Sequence, residues 1–378
     1  MTLPPLGLYV HIPWCVRKCP YCDFNSHEAA RIPESEYVEA LLQDLAQDRD
    51  MAEGRPLGSV FFGGGTPSLF HAASIDAILE AADRLIGFDS QVEITLETNP
   101  GTAEYDNLAG YRSAGVNRIS FGVQSFDEAH LRILGRIHSG REALAAYDQA
   151  RRAGFDNINL DLMHGLPQQT QAQAEADVRQ ALALAPEHIS WYQLTIEPNT
   201  VYYSRPPQLP EDEVLWDIQE AGQAILAAGG FAQYEISAYS RPGKQSRHNL
   251  NYWQFGDYLG IGAGAHGKIT RNDGSLLRYW KTRKPADYLA PEKPFSAGEN
   301  LVPAEQQLLE FMMNALRLTE GVPQRWFAER TQLPDSALTA AKAELVRRGL
   351  MVDDPERLQA TALGLRFLND TLTLLSEA

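Results

Sequence analysis

The stretch Tyr9-Val-His-Ile-Pro-Trp-Cys15-Val-Arg-Lys-Cys19-Pro-Tyr-Cys22-Asp-Phe24 holds all three cysteines of the 378-residue chain. Cysteines used for packing would be scattered over the apolar segments, so their confinement to one loop says that they act together. Three thiolates close a four-coordinate zinc site only if a fourth ligand comes from elsewhere. Disulfide pairing leaves one thiol over, and nothing in the chain marks an oxidising compartment. A four-iron cluster held by three cysteines leaves one iron with open coordination, which is useful when a substrate or cofactor binds the metal. Zinc, free reactive thiols and a cluster are the competing readings of the loop alone.

Outward from this loop the chain alternates. Residues 7–12 are a short apolar run, a buried strand that delivers the cysteines at its end. Tyr37, Leu41, Leu42 and Leu45 recur at helical spacing within 34–51, and a strand over 59–62 runs into Gly63-Gly64-Gly65-Thr66-Pro67. The pattern continues with helix 75–85, strand 92–97, helix 104–114, strand 118–122, helices 128–134 and 141–153, and strand 157–162. Helix 171–184, strand 189–194, helix 211–228 and strand 233–239 complete it. Strict alternation implies a parallel sheet with right-handed crossovers, either an open α/β sheet or a full or partial barrel. Gly64, Glu97, Gln124, Asp161 and Gln193 fall at or just past the carboxyl ends of predicted strands, the edge where such folds bind ligands. The cysteine loop lies on the same edge, so one site built from successive strand ends is expected.

Residues 243–274 are less regular and rich in aromatics, Gly and His, and the Pro, Glu and Ser of 291–305 suggest a domain junction. The expected division is a core over 1–290 and a small domain over 303–378. The latter reads as helices at 306–316, 323–330 and 336–348, a hairpin over 351–360 and a final helix, an arrangement resembling a winged helix. Its 8 basic and 11 acidic residues and the chain's net charge of −16 argue against nucleic acid, whose phosphates call for clustered Lys and Arg. No run of about 20 apolar residues is present to span a bilayer. The start, Met-Thr-Leu-Pro-Pro-Leu-Gly, does not read as a signal peptide. A cytoplasmic location is expected, with residence at the inner membrane face through a partner left open.

The glycine loop lacks the Lys-Ser/Thr of a phosphate cradle and the GxGxxG of a dinucleotide fold, but three glycines let backbone approach a ligand closely. Glu97 ends an alternating strand and by itself reads as a solvated strand end. Asp161, in an apolar strand, calls for a partner, and Arg136 is a candidate. In His248-Asn-Leu-Asn-Tyr252-Trp253 an imidazole able to ligate iron precedes two flat apolar rings; a hydrogen-bonded core histidine is the bland alternative. His266 is a second candidate, while His11, His27, His138 and His164 read as structural.

The cysteine spacing, with Tyr21 before the last cysteine, resembles the radical S-adenosylmethionine (SAM) signature. Tyr-Val-His-Ile-Pro-Trp-Cys, Gly-Gly-Gly-Thr-Pro-Ser, Glu-Thr-Asn-Pro-Gly, Arg-Ile-Ser-Phe-Gly-Val-Gln-Ser-Phe, Asp-Leu-Met-His-Gly-Leu-Pro and Tyr-Gln-Leu-Thr-Ile-Glu-Pro-Asn-Thr together resemble the HemN/HemW branch of that superfamily along essentially the whole chain. The resemblance implies an incomplete parallel (β/α) TIM-like barrel with a small helical, winged-helix-like C-terminal domain. It implies a 4Fe–4S cluster on Cys15, Cys19 and Cys22, and SAM lined by Tyr9, Tyr21, Gly64, Gly65, Thr66, Glu97, Gln124, Arg136 and Asp161. Two activities occur in the branch: oxygen-independent coproporphyrinogen III oxidation, and heme carriage to acceptor hemoproteins, membrane respiratory enzymes among them. The oxidase has a further cysteine where this chain has Phe24, and an extension ahead of its cysteines where only eight residues precede Tyr9. The segment His248, Tyr252, Trp253 matches the HNxxYW motif associated with heme. All three favour the heme carrier, with a homodimer as a further expectation. Replacing any one of Cys15, Cys19 or Cys22 by Ala is expected to abolish iron and sulfide uptake on anaerobic reconstitution, measured by metal analysis. A variant retaining the full iron content would contradict the cluster reading.

Overall fold

The computed structural model describes residues 3–101 and 108–376. Six strands follow the expected alternation: β1 (Leu6–Ile12), β2 (Leu57–Gly64), β3 (Phe88–Thr98), β4 (Arg118–Gln124), β5 (Ile158–His164) and β6 (His188–Gln193). Each pairs in parallel with the next. One set of alternating residues, among them Leu8, Val10, Val60, Phe62, Ile94, Leu96, Ile119, Phe121 and Leu160, is buried in a single apolar core. That core is shared with the helices Glu34–Asp48, Ala72–Leu85, Gly140–Arg152 and Gln171–Ala183. The last two begin with reciprocal capping boxes, Ser139 with Glu142 and Thr170 with Gln173, which satisfy amide groups the first helical turn leaves free. Of the helix expected over 104–114, Leu108–Ser113 is observed and the part before it lies outside the described residues.

The other alternating set is polar and faces the inside of the curl. Glu93 and Thr95 are 6 % and 0 % exposed, so the polar half of β3 meets protein rather than water. Buried polar groups need partners, and neighbouring strands supply them. The Asn159 amide donates to Ser120 and Asp161, and His188 bridges Asn159 and the Tyr234 hydroxyl. The Glu93 carboxylate accepts from the Ser246 hydroxyl and the His248 amide. Helix Arg247–Trp253 therefore closes the inner end of the barrel.

Beyond β6 the parallel rule ends. The single strand expected over 233–239 is two, β7 (Ala232–Glu235) and β8 (Ala238–Ser240), which form an antiparallel hairpin with β8 against β6. On the other side β9 (Asp257–Ile261) pairs in parallel with β1, followed by an antiparallel meander of β10 (His266–Thr270), β11 (Leu276–Lys281) and β12 (Ser296–Leu301). The order is β12-β11-β10-β9-β1-β2-β3-β4-β5-β6-β8-β7, and because β12 and β7 do not pair, the barrel is incomplete. Residues 296–301, expected to be part of a junction, are the edge strand. Its exposure explains why its composition reads as a linker.

Asp257 fastens the added strands. Buried at 0 % exposure, it accepts from the Lys268 ammonium at 2.9 Å, the Arg55 guanidinium at 2.6 Å, and the Thr270 amide and hydroxyl at 2.8 and 2.9 Å. Burial opposes its charge, but Lys268 and Arg55 prevail and hold the carboxyl below its ordinary value. A second apolar cluster joins the C-terminal helices Ala304–Ala315, Arg325–Thr331 and Ser336–Arg347 around Phe311, Phe327, Leu338 and Leu345. A ladder of Val322–Pro323 with Arg357–Leu358, and a bridge from Met351 to Ala360, make the small wing. Asp257→Ala leaves the buried Lys268 ammonium, and the partly buried Arg55 guanidinium, without their counter-ion and is expected to cost about 3–5 kcal/mol in chemical denaturation. A loss below about 1 kcal/mol would contradict this role for Asp257.

Candidate functional site

The cysteine loop leaves β1 at the carboxyl edge and folds onto the glycine loop that leaves β2. Gly65 N–H donates to the Ile12 carbonyl at 2.8 Å and Thr66 N–H to the Trp14 carbonyl at 2.7 Å. A Cβ on Gly65 would come within 2.4 Å of the Trp14 carbonyl oxygen. Gly64 has φ of +112°, and a Cβ there would strike the His11 ring at 2.6 Å. The glycine run is thus needed first for docking of the cysteine loop.

The three thiols are free and half-buried. Among the described residues no group of three or more His, Cys, Asp or Glu is arranged to hold a single metal ion. A cluster places its thiolates on different irons and does not require such a group. Hydrogen-bond donors face the sulfurs: Thr66 Oγ1 is 3.6 Å from Cys15 Sγ and Arg136 Nη1 is 3.6 Å from Cys19 Sγ. Ser26 Oγ lies 4.0 Å from Cys22 Sγ. Burial raises the Cys15 and Cys22 thiols above their ordinary range, so loading metal must expel protons. A donor set of thiols with facing hydroxyl and guanidinium groups fits an anionic iron–sulfur cluster.

The structure brings most of the expected SAM residues together. Tyr9 points inward from β1, and its hydroxyl is 3.0 Å from His11 Nδ1. A Cβ on Gly63 would lie 3.0 Å from the Tyr9 ring and 3.2 Å from Glu97 Oε2, which places these three side by side. Gln124 has the left-handed φ of +69° at a bulge in β4 and accepts from the Tyr192 hydroxyl at 2.8 Å, a strained conformation of the kind found at ligand sites. Arg136 donates to the Gly122 carbonyl at 2.7 Å. The candidate pairing of Arg136 with Asp161 is not the one observed. Asp161 accepts from Ser120 at 2.9 Å and from Asn159 at 2.8 Å, which leaves the guanidinium beside Cys19. Tyr21 packs against Tyr202 with ring centroids 6.4 Å apart. Gln193 and His164 face a different cavity, on the side of helix Asp212–Ala228.

Two residues, Asn99 within a quoted motif and Asn25 just past the cysteine stretch, were given no role by sequence. Asn99 donates to Thr66 Oγ1 at 3.3 Å, so a chain of donors runs from Asn99 through Thr66 to Cys15. The buried Asn99 Oδ1 and Arg136 Nε have no hydrogen-bond partner, an acceptor and a donor that suit a ligand carrying hydroxyls and a carboxylate. Asn25 ties the cysteine loop to the carbonyls of Ala263 and Arg283 and accepts from His11 Nε2 through its own carbonyl at 2.9 Å. His11 Nδ1 therefore accepts from Tyr9. Burial lowers this imidazole to about 4, and it stays neutral. An isolated carboxyl ending a strand carries no sign that it will be shielded this way, yet burial, then the Asp161 charge, raise Glu97 to about 8.

Next to these groups opens a cavity of about 780 Å³, within the range of about 300–1,000 Å³ for small-molecule sites. Its lining joins Tyr9, His11, Gly64 and Glu97 with Phe24, Tyr252, Tyr258, His266, Trp280 and Arg283. The three residues of the expected heme segment part company here. Tyr252 lines the cavity. His248 is 7 % exposed, stacked on Phe61 at 4.2 Å with the Tyr252 ring edge-on at 4.7 Å. Trp253 turns toward the C-terminal cluster, under the Arg317 guanidinium.

Residues 9–181 match the family profile for the Radical SAM superfamily and residues 302–367 that for the HemN C-terminal domain. The chain is 50% identical over 377 residues to the heme chaperone HemW of Haemophilus influenzae, covering 98% of each chain. It is 48% identical to that of Escherichia coli, covering 99% of each, and 35% identical to that of Bacillus subtilis, covering 94% of this chain and 95% of the other. Among solved structures, the radical SAM enzyme coproporphyrinogen III oxidase (HemN) from Escherichia coli superposes with a TM-score of 0.82 at 23% identity, over 99% of this chain and 90% of that one; this likeness establishes the fold.

The Glu97 carboxyl gives a pH test. Its folded value of about 8 lies above the ordinary 4.5, so its contribution to stability is full below pH 4.5 and is lost as pH rises through about 8. Glu97→Gln cannot ionise. The stability of the wild type minus that of the variant, from chemical denaturation of cluster-free protein, is expected to fall across that window and flatten above it. A pH-independent difference would show that the carboxyl titrates normally.

Proposed function

The chain belongs to the heme chaperone HemW family of the radical SAM superfamily, and from that premise we propose that it binds heme at the mouth of its barrel and hands it to acceptor hemoproteins. The observation that carries this reading is the near-full-length identity of about half to two heme chaperones. The aromatic cavity beside the cysteine loop supports it. Phe24, where the oxidase has a further cysteine, is 59 % exposed and forms part of the cavity wall. At that position the chain offers a porphyrin a flat apolar surface and no thiol.

In this reading Cys15, Cys19 and Cys22 hold a 4Fe–4S cluster with one iron left for SAM. When bound, the cluster supplies one-electron chemistry directed at the SAM sulfonium. The protein's part is placement. Gly64 and Gly65 let backbone reach the ligand, Arg136 and Gln124 offer donors over Gly122, and Tyr9, Tyr21, Thr66, Glu97 and Asp161 line the remaining sides. Burial raises the Glu97 carboxyl to about 8 and lowers the His11 imidazole to about 4, so each favours its neutral form.

The heme segment contributes Tyr252 to the cavity wall, with His248 packed beneath it. For His248 to ligate iron, its stack on Phe61 and Tyr252 must first open. Among the described residues no helix is long and apolar enough to cross a membrane, in keeping with a cytoplasmic carrier that reaches membrane respiratory acceptors through contact. A homodimer belongs to the same reading. Anaerobically reconstituted protein given coproporphyrinogen III, SAM and a reductant is expected to form no protoporphyrinogen, while hemin titration gives a saturable Soret band. Protoporphyrinogen formation at a catalytic rate would favour the oxidase and contradict the carrier.

A further inference from the structure

We propose that His266 is the heme-iron ligand and that Arg283 is the clamp for a heme carboxylate, an assignment that rests on the heme-carrier reading and locates its cargo. Two histidines line the cavity, His11 and His266. Both ring nitrogens of His11 are engaged, by Tyr9 and by the Asn25 carbonyl. His266 opens β10 as an exposed residue, and neither of its ring nitrogens has a hydrogen-bond partner among the described residues. It alone combines a free lone pair with access to the space a porphyrin would fill.

The surfaces around it suit a porphyrin. His266 is in direct cross-strand register with Trp280, which is 37 % exposed. The indole is held flat across Gly298, where a Cβ would come within 2.4 Å of the ring. Tyr252 and Tyr258 pack with centroids 4.3 Å apart and their planes tilted by 35°, and both line the cavity as a second wall. Heme also carries two propionate carboxylates, which need cations. Arg278, near His266, is already paired to Glu310 at 2.6 Å and to the Tyr258 hydroxyl. Arg283 has no carboxylate partner among the described residues. Its Nε donates to Asn25 Oδ1 at 3.3 Å, which leaves the outer edge of the fork for a carboxylate. Burial, and the charges of Arg278 and Arg283, keep the His266 imidazole below its ordinary value, in the neutral form that binds metal.

The test is hemin titration, followed by absorption, of the reconstituted wild type and of His266→Ala, His266→Gly, Arg283→Ala and His248→Ala. His266→Ala is expected to lose the ligated Soret band and to bind at least about tenfold more weakly. His266→Gly should recover the band when imidazole is added, which a purely structural role would not produce. Arg283→Ala should weaken binding without moving the band, and His248→Ala should keep it. A wild-type-like titration of His266→Ala, or loss of the band in His248→Ala alone with the fold intact by circular dichroism, would overturn the assignment. A wild type that takes up no hemin would overturn the heme-carrier reading and this assignment with it.

Discussion

The contact on which the site depends is the one between Gly65 and the backbone of Trp14. With no side chain between them, the loop after β2 sits directly under the loop after β1, joined by the amides of Gly65 and Thr66 to the carbonyls of Ile12 and Trp14. This puts the Thr66 hydroxyl against Cys15, and through Asn99 it links the cysteines to the end of β3. One close approach of two backbones thereby fixes the relation between the thiols and the strand-end residues. Any residue larger than glycine would separate them.

The second constraint is the inward-facing half of the parallel strands. A parallel sheet usually buries apolar side chains on both faces, but here the inner face carries Glu93, Arg118, Ser120, Asn159, Asp161 and His188. Bonds among Ser120, Asn159, Asp161 and His188 form a floor, and Glu93 joins it to the amide end of helix Arg247–Trp253. Above that floor lie the neutral groups Glu97 and His11, and above them the open aromatic cavity. The layering sets the cysteines and Arg136 apart from the aromatic cavity, whose wall takes His266 from β10 and Trp280 from β11. The buried carboxylate of Asp257, on β9, ties that strand to β10 through Lys268 and Thr270.

Much of this was legible in the sequence because the physical signals were local. The spacing of the cysteines, the alternation of apolar runs from β1 to β6, and polar residues at strand ends each survive in a short window. What was not legible depended on distant partners. β9 is five residues long and becomes a strand only because β1 offers it an edge. β12 has the composition of a linker because it is an exposed edge. The polar face of β3 reads as solvated until the curl of the sheet turns it inward, and the partners of Asp161 come from β4 and from its own strand rather than from the more conspicuous Arg136. Within the HNxxYW segment the helical turn sends Tyr252 to the cavity and Trp253 to the C-terminal core, a separation the linear motif conceals. His266 drew notice as a histidine among glycines, but only the register with Trp280 shows what it faces.

The measurement that bears most directly on this account is anomalous diffraction at the iron edge from crystals of anaerobically reconstituted protein loaded with hemin. The account expects two separate iron positions. One is a cluster bound by Cys15, Cys19 and Cys22, and the other a single iron in the cavity between His266 and the Tyr252–Tyr258 wall. A hemin iron located elsewhere on the molecule, or cluster iron not held by these three cysteines, would contradict it.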